Sequence, residues 1–443
     1  MKMSPLEDSP LVRAGLSVVT TLRGNGFNAV FAGGCVRDQI MGNSVKDFDI
    51  ATDAAPKTIK KIFRRTVAIG AQFGVILVLV GKFKFEVATF RSDGGYSDGR
   101  HPDSVRFGTL EEDVLRRDFT INGLMYDPVE NRLIDLVGGR KDIAARTIRA
   151  IGDPEKRFEE DKLRMLRAVR FAARFGFKIE KRTLAAVRTR ASRITVVSAE
   201  RIGEELAKSL TGENPDKALR LMSDTGLLAV LLPEIAALKS AEQDPKSHPE
   251  GDAFEHTVRV LADLPSNPSK TLAFAALLHD VGKGAGRSET GETGCIDHAE
   301  KGAEIADKIC RRLRFSNKER GAAAFLVRTH SAPYGFDTLR KSVVKKIFQK
   351  ADAGEFFALL KADISGGAGD MSVYHNARKL YEELAKEGIA PEPFVTGEDL
   401  KLIGVKPGPK IGGILNRIYD AQLDMEVTSR PEALELAKRL AMV

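Results

Sequence analysis

The residues best equipped for chemistry lie between positions 31 and 53: Gly33-Gly34-Cys35-Val36-Arg37-Asp38, then Gly42, then Asp47-Phe48-Asp49-Ile50-Ala51-Thr52. A glycine pair, a short helix and two carboxylates one residue apart are the parts of a phosphate-and-metal site. Residues 28–31 read as a strand, Gly33 and Gly34 as a turn, 35–41 as a helix closed by Gly42, and 46–51 as a second strand. Side chains alternate faces along a strand, so Asp47 and Asp49 project together while Phe48 turns away. Two carboxylates on one face suit Mg²⁺, which takes oxygen donors. The glycines let backbone approach phosphate oxygens, and the N–H groups of the following helix favour those anions. Asp-x-Asp alone equally describes a strand with two exposed acids; its spacing from the glycine pair is what favours chemistry.

That spacing resembles the nucleotidyltransferase signature of the DNA polymerase β superfamily. In its fuller form, Gly33-Gly34-Cys35-Val36-Arg37-Asp38 with Asp47-Phe48-Asp49-Ile50-Ala51-Thr52, it is similar to the first motif of class II CCA-adding enzymes and bacterial poly(A) polymerases. The resemblance implies that Asp47 and Asp49 hold two Mg²⁺ ions and that Gly33, Gly34 and Arg37 cradle phosphates. Two apolar runs, 74–80 and 83–90, are separated by Gly81-Lys82 and read as a hairpin beside the Asp-x-Asp strand. Glu86 interrupts the second run. The superfamily often carries a third carboxylate on the neighbouring strand, which makes Glu86 the candidate; an edge-strand pair with Lys82 or Lys84 is the plain alternative.

Further motifs follow in the family's order. Residues 92–106 are Gly-rich and polar and read as a mobile loop. Thr109 and Glu112 form a capping box expected to open a helix through Tyr126, carrying Arg116-Arg117-Asp118-Phe119-Thr120-Ile121-Asn122. These charges and a mid-helix Asn suit a cleft better than a core. They resemble a family motif whose counterparts, here Arg117, Asp118 and Asn122, contact ribose and triphosphate. Residues 135–142 resemble a turn linking head and neck. Asp153-Pro154 should start a helix running to Phe175 and closing at Gly176. On that helix Asp161 and Arg164 stand at i and i+3, which by itself describes an intrahelical salt bridge. Glu160-Asp161-Lys162-Leu163-Arg164 is also similar to the motif that acts as an amino-acid template. There the Asp accepts from the exocyclic amine shared by C and A and the Arg donates to the adjacent ring acceptor, so G and U leave a buried partner unpaired. Arg167, one residue triplet further on, joins the expected nucleotide-binding set. Residues 198–206 resemble a helix that braces the neck.

A second constellation stands beyond a linker at 240–251: His256, His279-Asp280, His298, His330 and, in Leu360-Lys361-Ala362-Asp363, a last acid. Helix caps and core histidines account for any one of these. The set, with Ala275-Ala276-Leu277-Leu278-His279-Asp280-Val281-Gly282-Lys283, looks like the HD phosphohydrolase superfamily and is expected to converge on one metal site. Imidazole and carboxylate suit a divalent transition metal such as Mn²⁺, Ni²⁺ or Co²⁺. His279 and Asp280, adjacent on a helix about 100° apart, can reach one ion. The expected chemistry is hydrolysis of a 2′,3′-cyclic phosphate or phosphomonoester. Near the tail, Lys401, Lys406 and Lys410 lie in a basic Gly/Pro-rich stretch opening a helix at about 410. It is similar to an element common in such enzymes and could hold RNA phosphates, or be a plain helix-entry turn.

The elements needed to position these groups fit the composition. A chain of 443 residues exceeds one compact core. With 43% hydrophobic and 29% charged residues and a net charge of +8, it suits a globular protein with a polyanionic partner. Cys35, Cys295 and Cys310 are few and scattered, as for reduced thiols. No apolar run is long enough for a membrane span, and the first residues lack a signal peptide's apolar core, so a cytoplasmic location is expected. The fold expected is α+β: a polymerase β-like nucleotidyltransferase head at 1–150 with a mixed, five-stranded-type sheet, an all-α neck at 151–240, an HD-type helical domain at 241–365 and a helical tail at 366–443.

The resemblance implies a tRNA nucleotidyltransferase that adds C, C and A to the tRNA 3′ end from CTP and ATP without a nucleic-acid template and releases pyrophosphate. Its rivals are a poly(A) polymerase, an enzyme adding only CC or only A, and an HD phosphohydrolase whose head merely binds RNA. Residues 67–75 resemble the CCA-adding pattern and lack the basic element of the polyadenylating branch. The polar stretch 93–103 looks like the loop that CC-only enzymes lack.

Overall fold

In a computed structural model of the chain, which describes residues 9–70, 74–94, 105–241, 249–285 and 295–442, the N-terminal apolar segments pair into a mixed sheet. Its strands are β1 (Ala29–Ala32), β2 (Asp49–Thr52), β3 (Thr66–Gly70), β4 (Val75–Val80) and β5 (Phe83–Thr89). After a separate hairpin of β6 (Arg91–Asp93) and β7 (Val105–Phe107), β8 (Met125–Asp127) and β9 (Arg132–Ile134) complete it. The sheet has seven strands, ordered β3-β4-β5-β2-β1-β8-β9, rather than the five expected. The β8–β9 hairpin pairs with the free edge of β1 and adds the difference.

Alternation explains which face is buried. On β5, Phe85 and Val87 are buried while Lys84 and Glu86 face outward; on the neighbouring segment Phe48 and Ile50 are buried while Asp47 and Asp49 face outward. The buried face packs with Val18, Val19 and Leu22 of α1 (Pro10–Gly24) and Ile59 of α3 (Pro56–Ile62). Each such fully buried side chain contributes about 1.5–3 kcal/mol. Strand β2 begins at Asp49, so Asp47 lies in the extended segment before it, yet the expected sharing of one face holds.

Two long helices expected from the sequence are broken. Helix α4 (Leu110–Leu115) keeps the capping box of Thr109 and Glu112 but stops before the Arg-Arg-Asp segment. Phe119 bridges the backbone of Ala150, Thr120 N–H donates to the Arg149 carbonyl at 2.9 Å and Ile151 N–H to the Asp118 carbonyl at 3.1 Å. These long-range bonds replace helical ones and bury Phe119 fully. After α5 (Gly139–Ala144), the helix expected over 153–175 becomes α6 (Pro154–Glu160) and α7 (Arg164–Phe175). Asp161 between them is extended, with φ −139° and ψ 103°, and its carboxylate accepts from Leu163 N–H at 3.1 Å in the turn that leads into α7. Gly176 closes α7 at φ +61°, a conformation that favours glycine. A short parallel pair, β10 (Thr147–Ile148) with β11 (Lys178–Ile179), precedes α8 (Lys181–Arg190), α9 (Ala199–Leu210), α10 (Pro215–Asp224) and α11 (Leu227–Leu231).

The chain divides into two compact units, Met1–Pro233 and Glu234–Val443. Past α12 (Pro233–Ala236), the second unit is helical among the described residues: α13 (Ala253–Ala262), α14 (Lys270–Leu278), α15 (Cys295–Arg312), α16 (Asn317–Thr329), α17 (Lys341–Lys350) and α18 (Ala353–Gly366). Then come α19 (Met371–Glu387), α20 (Gly397–Leu402), α21 (Pro409–Leu423) and α22 (Arg430–Ala441). The loop expected at 92–106 forms strand at both ends; its middle, 95–104, lies outside the described residues, as do 71–73 of the CCA-like stretch and 242–248 of the linker. Among the described residues no helix is long and apolar enough to cross a membrane. Cys35 and Cys310 are buried free thiols that burial pushes up to about 12, which keeps them protonated.

Candidate active site in the head and a histidine cluster beyond it

The carboxylates of the head are positioned by strand pairing. β2 runs parallel to β5 with Asp49 in register with Glu86, so three acids, Asp47, Asp49 and Glu86, crowd one outward face. Among the described residues Glu86 makes no ion pair with Lys82 or Lys84, which removes the plain alternative for it; Lys82 sits over Phe83 instead. Burial in the cleft, then the charges of Glu86 and Asp47, push the Asp49 carboxyl up to about 6, although Arg117 opposes them. Three carboxylates on one face form a set whose negative charge a divalent cation would relieve, and the hardness of their oxygens fits Mg²⁺.

The glycine pair stands beside them. Gly33 caps α2 (Gly34–Ile40) at φ +72° and ψ −123°, and a side chain there would come within 2.8 Å of Arg117 Nη1. Glycine is therefore required by backbone and neighbour alike. Arg37 is buried beneath this turn: it donates to Asp38 at 2.8 Å, pairs with Asn122 and stacks over Phe171 and Phe175 of α7. Burial draws its pKa down, with Asp38 resisting. It thus ties the turn to the neck.

The segment Arg116-Arg117-Asp118 is the pivot between the carboxylates and the neck. Arg117 is held over Gly33 by Asp113 at 3.0 Å and by the Asn122 carbonyl at 3.3 Å. Burial alone would raise Asp113, but Arg117 and Arg116 draw it below the usual carboxylate range. Asp118 accepts from Arg167 at 2.7 Å, Asn122 at 3.0 Å and Phe119 N–H at 2.8 Å. Burial opposes its ionisation, yet the Arg167 charge and these bonds bring it to about 2, so it is a permanent anion locking head to neck.

The side chains of Asp161 and Arg164 do not pair with each other, although Arg164 N–H donates to the Asp161 carbonyl at 3.0 Å. Arg164 donates to Glu160 at 2.8 Å, to the Arg157 carbonyl at 3.1 Å and, across from the neck, to the Arg116 carbonyl at 3.0 Å. Asp161 instead accepts from Arg201 of α9 at 2.9 Å. The helix break between them is the reason, and it corrects the i, i+3 salt bridge that the spacing suggested. Two partners were missed from sequence. Asp113 stood at i, i+3 and i, i+4 from Arg116 and Arg117 and could have been found; Arg201, 40 residues from Asp161, left no local signal. On the same brace Glu205 pairs with Arg170.

In the second unit the helices bring six side chains together. The ligand atoms of His256, His279 and Asp363 lie within 4.8 Å of one another, and so do those of Asp280, His298 and His330. The single metal site expected is therefore two adjoining trios that split the His279-Asp280 doublet. The doublet is not on a helix: His279 closes α14 and Asp280 lies in the turn after it. His279 Nε2, fully buried, is 3.3 Å from Asp280 and 3.5 Å from Asp363 without a well-formed hydrogen bond to either. His298 and His330 approach Asp280 at 3.7 and 3.8 Å, and Lys283 at 2.7 Å. Gly282 lets α15 approach, since a side chain there would fall 2.0 Å from the His298 carbonyl oxygen.

Burial and the opposite charges of the carboxylates and imidazoles compete across the cluster. Burial would lower His279, but Asp280 and Asp363 raise it; burial lowers His330 and brings His298 to about 4. Asp280 lies well below the usual range, its histidine and lysine neighbours overcoming burial. Orphaned imidazole nitrogen and ionised carboxylates fit a divalent transition metal. In the tail, α21 starts at Pro409, and Lys406 and Lys410 join Lys438 around a shallow cavity of about 530 Å³; Lys401 pairs with Glu398.

Comparison with known proteins matches these regions. Residues 29–149 fit the Poly A polymerase head domain, 176–239 the probable RNA and SrmB-binding site of polymerase A, and 253–355 the HD domain. A CCA-adding enzyme of Latilactobacillus sakei is 38% identical over 279 residues, 62% of this chain and 70% of that one. One from Enterococcus faecalis is 45% identical over 47% of this chain; there, as in several such relatives, the match spans about half the relative's length, 51%. Among solved structures, the Bacillus stearothermophilus CCA-adding enzyme in complex with CTP aligns over 98% of both chains with a TM-score of 0.73 and 28% identity. The Thermotoga maritima CCA-adding enzyme complexed with tRNA shares the fold, with a TM-score of 0.61 over 97% of this chain and 21% identity. On these grounds the chain belongs to the class II CCA-adding enzyme family, in a form that carries an HD domain behind the head and neck.

Proposed function

We propose that the protein is a tRNA nucleotidyltransferase that adds C, C and A to the tRNA 3′ end from CTP and ATP. The observation that carries this reading is the alignment of Asp49 with Glu86 next to Asp47, joined through Arg116-Arg117-Asp118 to Arg164 and Arg167 of the neck. Asp47 and Asp49, assisted by Glu86, would hold Mg²⁺. When bound, Mg²⁺ would lower the pKa of the tRNA 3′-hydroxyl for attack at the α-phosphorus and neutralise the departing pyrophosphate. Gly33, Gly34, Arg37 and Arg117 orient the triphosphate; Asp118 and Asn122 set the ribose position, with Arg167 holding Asp118.

Selection rests on Asp161 and Arg164. Arg201 fixes the Asp161 carboxylate as an acceptor for the amine of C or A. Arg164 has five N–H donors against the three bonds it makes here, which leaves donor capacity for a ring acceptor. Lysines 401, 406 and 410 and the basic neck bind the tRNA backbone. The working division is a head at 1–150, a neck at 151–240, an HD domain at 241–365 and a tail at 366–443, in a cytoplasmic enzyme.

The HD cluster favours a second activity, hydrolysis of a 2′,3′-cyclic phosphate or phosphomonoester. A bound Mn²⁺, Ni²⁺ or Co²⁺ would lower the pKa of a water for that attack. The His279, His256 and Asp363 side chains orient it, with Asp280, His298 and His330 beside them. The deciding experiment incubates the protein with tRNAs ending at the discriminator base, at C and at CC, with each nucleotide singly and together, and sequences the 3′ ends. Ordered growth to CCA and arrest is expected; a long A tail would make it a poly(A) polymerase, and A alone after CC an A-adding enzyme.

A further inference from the structure

The three innermost histidines of the HD cluster are held in two different ways. His279 and His330 sit at the C-terminal ends of their helices, where Nδ1 reaches back to a carbonyl three residues earlier: Ala276 at 2.9 Å and Val327 at 2.7 Å. A carbonyl only accepts, so in the neutral ring Nδ1 carries the hydrogen and the Nε2 lone pair turns into the cluster. His256 lies inside α13, where the preceding carbonyls belong to the helix ladder, and has a different support. Its Nδ1 lies 2.8 Å from Oε1 of Glu250, while its Nε2 lies 2.9 Å from Oδ1 of Asp363. The side chains of Glu250 and His256 are 0% and 1% exposed.

We infer that Glu250 is a positioning residue for the HD metal site, a buried carboxylate that fixes the tautomer of His256 and strengthens its Nε2 as a metal donor. Glu250 stands six residues before His256, in what the sequence shows only as a linker. It is drawn in because Asp252 caps α13 through Glu255 N–H at 2.9 Å and Ala253 N–H donates to the Ala241 carbonyl at 3.2 Å, folding the chain under the first turn. A carboxylate behind an imidazole makes the ring a better donor than a neutral carbonyl does, because the partial positive charge that develops on metal binding is met by a full negative one. His256 is thus the electronically favoured ligand of the first trio, and His279 and His330 are oriented without that enhancement. Asp363 Oδ1, 2.9 Å from His256 and 3.5 Å from His279, is the oxygen that shares this trio with them.

The inference rests on the reading of the cluster as a metal site, and the test separates the two. The full-length protein is titrated with Co²⁺ in excess Mg²⁺, which fills all-oxygen sites, and the visible d–d absorption of nitrogen-ligated Co²⁺ is followed. Wild type, Glu250→Gln, Glu250→Ala and His279→Ala are compared, with nucleotide incorporation as the control for folding. Glu250→Ala should weaken Co²⁺ about 10–100-fold and shift the absorption band. Glu250→Gln keeps an acceptor without the charge and should fall between, and both should retain wild-type incorporation. If both Glu250 variants bind Co²⁺ as wild type does, with an unmoved band, while His279→Ala does not bind, Glu250 has no such role and the metal site stands. If wild type binds no Co²⁺ under these conditions, both the site and the inference fall.

Discussion

The head and the second unit each gather acids around a place for a divalent cation, and they do so by opposite means. In the head, Asp47, Asp49 and Glu86 come from neighbouring extended segments and share an outward face, where burial and then the charges of Glu86 and Asp47 bring Asp49 to about 6. Their donor atoms do not all come within 4.8 Å, whereas those of the histidine trios do. The HD cluster is buried, rich in nitrogen and backed by carbonyls and a carboxylate. An open oxygen set is suited to an ion that arrives with a triphosphate and leaves with pyrophosphate; a closed nitrogen set is suited to a resident ion.

The comparison breaks first at the head carboxylates. Replacing Asp47 and Asp49 together by Ala should reduce nucleotide incorporation a thousandfold or more, several kcal/mol of transition-state stabilisation, measured by single-turnover extension of tRNA. Co²⁺ binding at the HD cluster should survive, and incorporation at the wild-type rate would refute the head assignment. Conversely, His279→Ala should weaken HD metal binding by about a hundredfold or more and remove phosphohydrolysis while incorporation continues. Equal loss of both activities would point to damage to the fold.

Smaller effects sharpen the contrast. Asp161→Ala should cost about 1–3 kcal/mol of discrimination, roughly 10–100-fold more G or U incorporation relative to C and A. A variant still rejecting G and U would leave Asp161 as no more than the partner of Arg201. The smallest effect is in pH. A proton on Asp49 competes with Mg²⁺, so affinity in the head should be flat above about pH 7 and fall by up to tenfold per unit below about 6. The raised pKa of His279 means that the HD cluster must shed a proton to bind metal, so its affinity should keep rising as pH increases beyond 6.5, where the head is already level. Calorimetric titration with each metal across this range checks both.

Local patterns carried much of this. The turn at Gly33, the outward face of Asp47 and Asp49, the hairpin of β4 and β5 and the cap of α4 each depend on neighbours a few residues away, and the sequence places them to within a residue or two. The six clustered side chains could be named together because the His279-Asp280 doublet follows an apolar Ala-Leu run and resembles the HD pattern, with the other histidines and Asp363 in the expected order. The misreadings share a cause. A capping box and a start at Asp153-Pro154 suggest continuous helices over 109–126 and 153–175, but 116–126 holds the weak helix formers Asp118, Thr120, Asn122 and Gly123, and Phe119 is buried and paired with Ala150 instead. Asp161, for its part, is extended and its side chain accepts from Leu163 N–H in the turn before the next helix.

By itself, then, the sequence determined the chemistry available: which acids, imidazoles and glycines exist, on which local elements, in which order. Only the tertiary structure decided their partners. Register between β2 and β5 put Glu86 beside Asp49; the break after α6 handed Asp161 to Arg201 and Arg164 to the Arg116 carbonyl; the chain entering α13 set Glu250 behind His256. Propensity and periodicity act over one or two turns of chain, whereas these pairings join residues from 6 to 48 positions apart. Their energy is realised only once burial has removed the water that would otherwise satisfy each charge.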